Sequence, residues 1–299
     1  MTEANTKHVG RFAPSPTGPL HFGSLVAAVA SYLDARAQGG TWRVRIEDVD
    51  TTRCNTQFAD EILATLSAFG FTWDGEVLVQ SQRTLRYQTA LDRLADRNLT
   101  YACACSRKEI ADSAVSGIDG PVYPGTCRCK GLAVDGNAIR LRTTATEICF
   151  VDRVQGLCCQ ALGSVVGDFV LKRRDGLFAY QLAVVADDAE QGVNHVVRGA
   201  DLLDSTARQI YLQEFLGLPR PTYLHFPVVT NSAGQKLSKQ TMAAALGASE
   251  ACRFLREALI HLGQRPPDAG DLTPSAVLDS AARHWDVAAI PKQRARHIA

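Results

Sequence analysis

Arg11-Phe12-Ala13-Pro14-Ser15-Pro16-Thr17-Gly18-Pro19-Leu20-His21-Phe22-Gly23-Ser24 is the stretch that decides how the chain is read. A short strand, Val9 to Ala13, runs into a loop that prolines stiffen and Gly18 opens, and an Ala/Val/Leu-rich helix follows at once. A strand, a Pro/Gly loop and a helix N-terminus offer backbone N–H groups and the positive end of a helix dipole to a phosphate. A tight turn before a surface helix would need neither Ser15 between prolines nor the His-x-Gly that follows, and a plain phosphate cradle would not need His21. The stretch reads as a nucleotide site with an added histidine.

Working outward, the helix after Ser24 carries Leu25, Val26, Val29 and Leu33 and should stop at Gly39-Gly40. Thr41 to Asp48 then alternates, with Trp42, Val44 and Ile46 on one face and Arg43, Arg45 and Glu47 on the other. Strand, helix, strand at this spacing is a βαβ unit and predicts a parallel sheet. Ligands of such sheets bind beyond the C-terminal strand ends, at the switch point. Arg11 to Ser15 and Glu47-Asp48 both lie at such ends and are expected to face one pocket. Amphipathic helices over 56–69 (Phe58, Ile62, Leu66, Phe69) and 83–97 (Leu85, Leu91, Leu94) are assigned to packing.

The 299 residues suggest two domains. Apolar and charged fractions are those of an ordinary soluble globular protein. No apolar run reaches the ~20 residues of a membrane span, and the polar N-terminus has no signal-peptide core. A cytoplasmic protein with no membrane partner is expected, and a monomer, since no heptad or apolar stripe asks for a second copy. A net charge of +1 leaves a nucleic-acid partner open, because a local basic face suffices. There are nine cysteines. Cys103-x-Cys105 and Cys127-x-Cys129 flank a Gly/Pro loop, a spacing that reads as a zinc site in a chain that is not exported. Cys54, Cys149, Cys158, Cys159 and Cys252 are expected as small apolar core residues.

Residues 106–135 read as loop, and 138–142, 148–154 and 164–171 as short strands of a β-containing insert. Phe169 to Tyr180 reads as a hairpin turning at Asp175-Gly176, followed by a helix over 181–188. His195 to Asp201 is a strand, Ser205 to Phe215 a helix, and Phe226 to Thr230 the last strand. A turn at Gly234 then presents Lys236-Leu237-Ser238-Lys239-Gln240. Residues 241–299 read as all-helical. One helix packs Phe254, Leu255, Ala258, Leu259 and Leu262, and a second has Thr273 as N-cap with Pro274 after it. The basic end, Lys292 to His297, is expected to fray.

His21-Phe22-Gly23-Ser24 and Lys236-Leu237-Ser238-Lys239-Gln240 resemble the two signatures, HIGH and KMSKS, of the class I aminoacyl-tRNA synthetases. Residues 8–240 resemble the catalytic half of the glutamyl-tRNA synthetases. More closely they resemble the short paralogues of that family, which lack an anticodon-binding region and attach glutamate to queuosine in tRNA(Asp). The chain end soon after Lys239, the pattern Cys103-x-Cys105 then Tyr123-x-x-x-Cys127, and Gln240 in place of the usual Ser carry the closer resemblance. It implies an α/β fold with a Rossmann-type parallel sheet in two halves, 1–100 and 170–240. A zinc-binding β-containing insertion over 101–169 interrupts them, and a helical segment over 241–299 follows, with no anticodon-binding domain.

The resemblance also implies roles. Arg11 would pair with the substrate side-chain carboxylate, in a binding loop continued by Phe12, Ala13, Pro14 and Ser15. Ser15 and Glu47 would hold the ammonium of L-glutamate, and Tyr180 and Arg198 would complete the pocket. ATP would meet His21, Gly23, Ser24, Lys236, Ser238 and Lys239, with Mg2+ accompanying it and His21 and Lys239 as the catalytic residues. Zinc would be held by Cys103, Cys105, Tyr123 and Cys127, whereas thiolate chemistry alone prefers Cys129 as the fourth ligand. Two features depart from the longer relatives, Ser24 at the end of the first signature and Ala200 where an acid is frequent. The implied reaction is activation of L-glutamate to its adenylate without tRNA, then transfer to the queuosine of tRNA(Asp). The competing readings are a truncated glutamyl-tRNA synthetase that charges the 3′ end of tRNA(Glu), and a zinc-containing RNA-binding regulator without turnover.

Overall fold

The opening unit forms where spacing and punctuation placed it. In this computed structural model, which describes residues 7–113, 115–118, 120–231, 246–268, 270 and 272–297, β1 (Val9–Phe12) and β2 (Thr41–Ile46) run parallel, with Val9 opposite Thr41. Helix α1 (Phe22–Ala37) crosses between them. His21 is its N-cap, and His21 Nδ1 accepts from the Ser24 backbone N–H at 3.3 Å. Trp42, Val44 and Ile46 are buried as expected, but Arg45 on the other face is fully enclosed too. The second face of β2 is therefore a polar interior rather than a solvated surface.

Helix α2 (Thr56–Ala68) buries Ile62 and Leu66, β3 (Leu78–Val79) joins β2 in parallel, and α3 (Thr84–Ala95) follows. Helix α3 buries Tyr87, Leu91 and Leu94, at i, i+4 and i+7. Leu85, expected in this stripe, is 80% exposed because it falls outside that face.

The stretch 106–135 holds more structure than a loop. Ser106 and Glu109 make a reciprocal capping box, with the Ser106 N–H donating to Glu109 Oε2 at 2.7 Å and the Glu109 N–H to Ser106 Oγ at 3.2 Å. It starts α4 (Arg107–Ser113), after which β5 (Ser116–Gly117) and β6 (Gly120–Pro121) form a minimal hairpin. β4 (Thr100–Cys103), β7 (Ala138–Leu141) and the later β10 (Phe169–Lys172) make an antiparallel sheet in the order β10-β7-β4. The hairpin of β8 (Glu147–Asp152) and β9 (Gly156–Ala161) does not join it. After the short α5 (Leu162–Val165) and β10, the chain enters α6 (Tyr180–Glu190), β11 (His195–Gly199), α7 (Thr206–Leu216) and β12 (Thr222–Phe226). Gly217, with φ of +65°, closes α7 in the left-handed conformation. β11, β12 and β8 pair in parallel and β9 lies at the edge. A strand read as part of the insert thus extends the sheet of the second half.

The two parallel sheets meet at β1 and β11. The Asn194 backbone N–H donates to Val9 O at 3.1 Å, and the Val9 N–H donates to Asn194 Oδ1 at 2.8 Å. This is the fold the resemblance implied, a parallel α/β sheet with an inserted antiparallel one.

The C-terminal segment departs from an all-helical reading. α8 (Ala251–His261) and α9 (Pro274–Arg283) form as expected, with the Thr273 hydroxyl capping the Ala276 N–H. The basic end does not fray, however. β14 (Ala295–His297) pairs in parallel with β13 (Val228–Thr230), and Arg296 donates to the carbonyls of Ile260 and His261 that close α8. Unsatisfied helix-end carbonyls draw the arginine back.

Of the scattered cysteines, Cys158 and Cys252 pack half-buried against the two cores, but none is fully buried. Cys149 and Cys159 lie directly opposite on β8 and β9, exposed, and form a disulfide with Cα atoms 4.1 Å apart. Cys54, Cys158 and Cys252 are half-buried thiols. Among the described residues no helix is long and apolar enough to cross a membrane.

Candidate active site

At the C-terminal ends of β1, β2 and β11 lies a cleft of about 560 Å³. It is the switch-point position at which open parallel sheets take ligands. Arg11, Phe12, Ala13, Pro14 and Ser15 line it, as do His21, Gly23 and Ser24 from the start of α1. Glu47 enters from the end of β2, Tyr180 from the first residue of α6, and Arg198 from β11. Every candidate amino-acid-binding residue and the described part of the ATP set therefore share one wall system. Lys236, Ser238 and Lys239 lie outside the described residues.

Behind Arg11 and Glu47 lies an ion network whose other members, Asp188, Arg45 and Gln191, the sequence left unassigned. Asp188 on α6 takes two cations: Arg11 Nε lies 3.2 Å and Arg45 NH1 2.8 Å from its Oδ1. Arg45 NH2 also reaches Glu47 Oε1 at 3.1 Å, and NH1 reaches Gln191 Oε1 at 2.7 Å. Burial pushes the Asp188 carboxyl up, but Arg11 and Arg45 outweigh it and hold the group below the ordinary carboxylate range. Glu47 balances differently. Burial raises it, Arg45 and Arg11 only partly offset this, and Asp188 adds to the rise. One acid of the pair is firmly ionised and the other is poised to gain a cation. The neighbouring Asp187, fully buried, accepts from Gln80 Nε2, Tyr87 OH and Arg83 Nε, each at 2.8 Å. Asp187-Asp188 inside an otherwise apolar helix was the available signal, since two adjacent buried acids require cations.

On the opposite wall Arg198 is 4% exposed. Its Nε donates to His225 Nε2 at 3.0 Å, NH2 to Thr206 Oγ1 at 2.9 Å, and NH1 to Tyr180 OH at 3.5 Å. Asp201 also lines the cleft. The result is a closed-backed site with two guanidinium groups, a carboxylate able to accept an ammonium, and a helix N-terminus beside them. That combination suits a small dicarboxylic amino acid next to a phosphorylated nucleotide.

A second cluster lies in the insertion. The Sγ atoms of Cys103, Cys105 and Cys127 all fall within 4.8 Å of one another, and Cys105 and Cys127 are 3.5 Å apart. Tyr123 OH is 3.3 Å from Cys103 Sγ and 3.7 Å from Cys105 Sγ, while Cys129 is exposed outside the group. Thiolates on one tetrahedral zinc stand about 3.8 Å apart for Zn–S bonds near 2.3 Å. Three thiols and a phenol at this spacing fit such an ion. Burial raises the Cys127 thiol, but backbone and side-chain donors, first the Ala104 amide, bring it down to about 7.

Comparison with known proteins places the chain in a family. The family model described as tRNA synthetases class I (E and Q), catalytic domain, matches residues 7–265. A Dechloromonas aromatica (strain RCB) protein named glutamyl-Q tRNA(Asp) synthetase is 60% identical, with 97% of each chain covered. One of the same name from Thiobacillus denitrificans (strain ATCC 25259 / T1) is 54% identical over 95% of each chain. Among solved structures, the glutamate-tRNA synthetase of Elizabethkingia anophelis superposes with a TM-score of 0.80 at 24% identity, covering 98% of this chain and 68% of that one, a likeness of fold. The chain belongs to the class I tRNA synthetases of the glutamate and glutamine type, and within them to the glutamyl-Q tRNA(Asp) synthetase family.

Proposed function

We propose that the protein activates L-glutamate with ATP to glutamyl-adenylate without needing tRNA. It then transfers the glutamyl group to the cyclopentenediol of queuosine at the wobble position of tRNA(Asp). The observation that carries the first half is the convergence of Arg11, Glu47, Tyr180 and Arg198 on one cleft beside the N-terminus of α1. The names of the relatives support the second half.

In this reading Arg11 and Arg198 face the substrate side-chain carboxylate, and Ser15 and Glu47 take its ammonium. Glutamine would leave a guanidinium without its anionic partner, which is a strong basis for rejection. The α-carboxylate is already ionised and attacks the α-phosphorus in line, displacing pyrophosphate. No side-chain base is required, so catalysis consists of positioning and charge stabilisation. His21 and the N-terminus of α1 hold the phosphate chain. Lys236, Ser238 and Lys239 are assigned to the same task by their motif. Mg2+, bound with ATP, would neutralise the phosphate charge. In the insertion, Cys103, Cys105, Tyr123 and Cys127 would hold one structural zinc ion and keep a Gly/Pro-rich loop ordered. We take the protein to work as a monomer in the cytoplasm, where its tRNA acceptor is found.

The test incubates the protein with ATP and labelled glutamate, first alone in pyrophosphate exchange and then with tRNA(Asp) that carries or lacks queuosine. Exchange without tRNA, and label transferred only to the queuosine-containing tRNA, are expected. Exchange that needs tRNA, or label on the terminal ribose, would overturn the reading in favour of ordinary charging.

A further inference from the structure

Arg198 meets the cleft along one edge and is held along the other. Its Nε and NH2 are taken by His225 Nε2 and Thr206 Oγ1, at 3.0 and 2.9 Å, while NH1 stands next to Tyr180 OH in the cleft wall. His225 has no solvent exposure and makes a second contact, Nδ1 to Asp152 Oδ2 at 2.6 Å. Asp152 is itself 2% exposed. Its Oδ1 accepts from the backbone N–H groups of Val154, Gln155 and His225 at 3.0, 2.9 and 3.2 Å. A carboxylate with these donors is ionised and cannot donate, so the ring proton sits on Nδ1. Nε2 is then a bare acceptor, as the Nε–H of an arginine demands, since a guanidinium only donates. Burial drives His225 down to about 4 against the upward pull of Asp152, with the Arg198 cation acting in the same direction as burial. The ring is neutral at neutral pH.

We infer that Asp152 and His225 are positioning residues for substrate recognition. Asp152 sets the tautomer of His225, and His225 holds one edge of Arg198 so that the other edge is presented to the substrate carboxylate. The inference rests on reading the cleft as a glutamate site. It gives the β8–β9 hairpin a task, because Asp152 is the last residue of β8, the strand that leaves the insert to pair with β12. Neither residue lines the cleft, so neither touches substrate.

The near-isosteric D152N variant tests the tautomer. If the amide oxygen keeps the three backbone donors, the amide nitrogen faces Nδ1 and donates to it. The ring proton moves to Nε2, which can then donate only to Thr206 Oγ1, 3.3 Å away, and the Arg198 Nε–H loses its acceptor. H225F removes the acceptor while keeping a ring. In H225Q the carboxamide oxygen can still accept from Arg198 and its nitrogen can donate to Asp152. In glutamate-dependent pyrophosphate exchange, D152N and H225F should raise the glutamate KM about tenfold or more. The ATP KM should stay within about twofold, and H225Q should recover most of the loss. The preference for glutamate over glutamine should fall in the first two variants and return in H225Q. Thermal unfolding of each variant identifies any that fails to fold, and the contrast between H225F and H225Q stands without D152N. Folded D152N and H225F with the wild-type glutamate KM would overturn the positioning role alone. A parallel rise in both KM values would also overturn it, marking the chain as merely structural. No glutamate-dependent exchange in the wild type would instead overturn the glutamate reading of the cleft and this inference with it.

Discussion

Asp188 Oδ1 accepts from Arg11 Nε at 3.2 Å, tying a residue of the first strand to a helix that starts 169 positions later. The contact fixes which edge of Arg11 is left for substrate, because Nε is occupied and NH1 leans on the Val197 carbonyl at 3.5 Å. Replacing Asp188 by Asn keeps the shape and removes the charge that balances both Arg11 and Arg45. A hydrogen bond to a charged group contributes about 1.5–3 kcal/mol, so D188N should raise the glutamate KM roughly 10–100-fold. Steady-state exchange kinetics read this directly, and an unchanged KM would detach Asp188 from recognition.

Glu47 gives the site its pH dependence. Its carboxyl is raised by burial, with Arg45 and Arg11 pulling the other way. The substrate ammonium needs the ionised form. As pH falls through the raised value Glu47 takes a proton and the attraction is lost, so the glutamate KM should climb. That acid limb should lie above the ordinary glutamate value of about 4.3. The E47Q variant should bind glutamate weakly at every pH and lose the limb. An acid limb that persists in E47Q would assign it to another group.

What was legible in the chain follows the range of the interactions. The strand, loop and helix of 9–37 and the alternation of Thr41–Ile46 are local patterns, and the cleft ends of both strands could be placed from them. Tyr180 and Arg198 came only with the family resemblance, because nothing near them in sequence points to Arg11. Asp187-Asp188 signals buried acids in need of cations, but nothing near them in sequence names Arg11 and Arg45 as the partners of Asp188. Asp152 falls in a stretch that reads as an ordinary strand and His225 lies just before the strand expected at Phe226, and their pairing depends on β8 crossing to β12, a contact between distant parts of the chain. The Cys149–Cys159 pair was missed for a different reason, since the two are only ten residues apart but the register of the hairpin decides which cysteines face one another. The strand at 295–297 was hidden by its charge, which turns out to be spent on helix-end carbonyls.

The insertion makes a prediction about metal content. Purified protein should carry about one zinc ion per chain. C127S should lose it and Y123F should hold it more weakly, whereas C129S should keep it, because Cys129 lies outside the thiol cluster. Chelation should lower the melting temperature by loosening the loop between Cys103 and Cys127. Metal analysis with thermal unfolding checks all of this. Loss of zinc from C129S with retention in Y123F would move the fourth ligand to the exposed thiol.

Asp34 makes a prediction about stability rather than catalysis. This carboxylate on α1 is 1% exposed. It takes a bidentate contact from Arg153, in the turn after β8, at 2.7 and 2.9 Å. Trp285 Nε1 donates to it at 3.1 Å from beyond α9, and His8 Nε2 stands 3.6 Å away. One acid therefore fastens the first helix to the inserted hairpin and to the C-terminal segment. Removing it in D34A leaves a half-buried guanidinium and an indole N–H without their partner. Breaking a fully buried ion pair costs about 3–5 kcal/mol, and the partial exposure of Arg153 places D34A at the lower end, near 3 kcal/mol. Urea unfolding should register that loss as a lower midpoint. Asp34 sits about 18 Å along α1 from the helix start that lines the cleft, at 1.5 Å per residue. The glutamate KM of the folded fraction should accordingly stay at the wild-type value. A loss below about 0.5 kcal/mol would show that water replaces Asp34 at Arg153 and Trp285 without penalty, and that the C-terminal segment is held by its other contacts, the β13–β14 pairing and Arg296 among them.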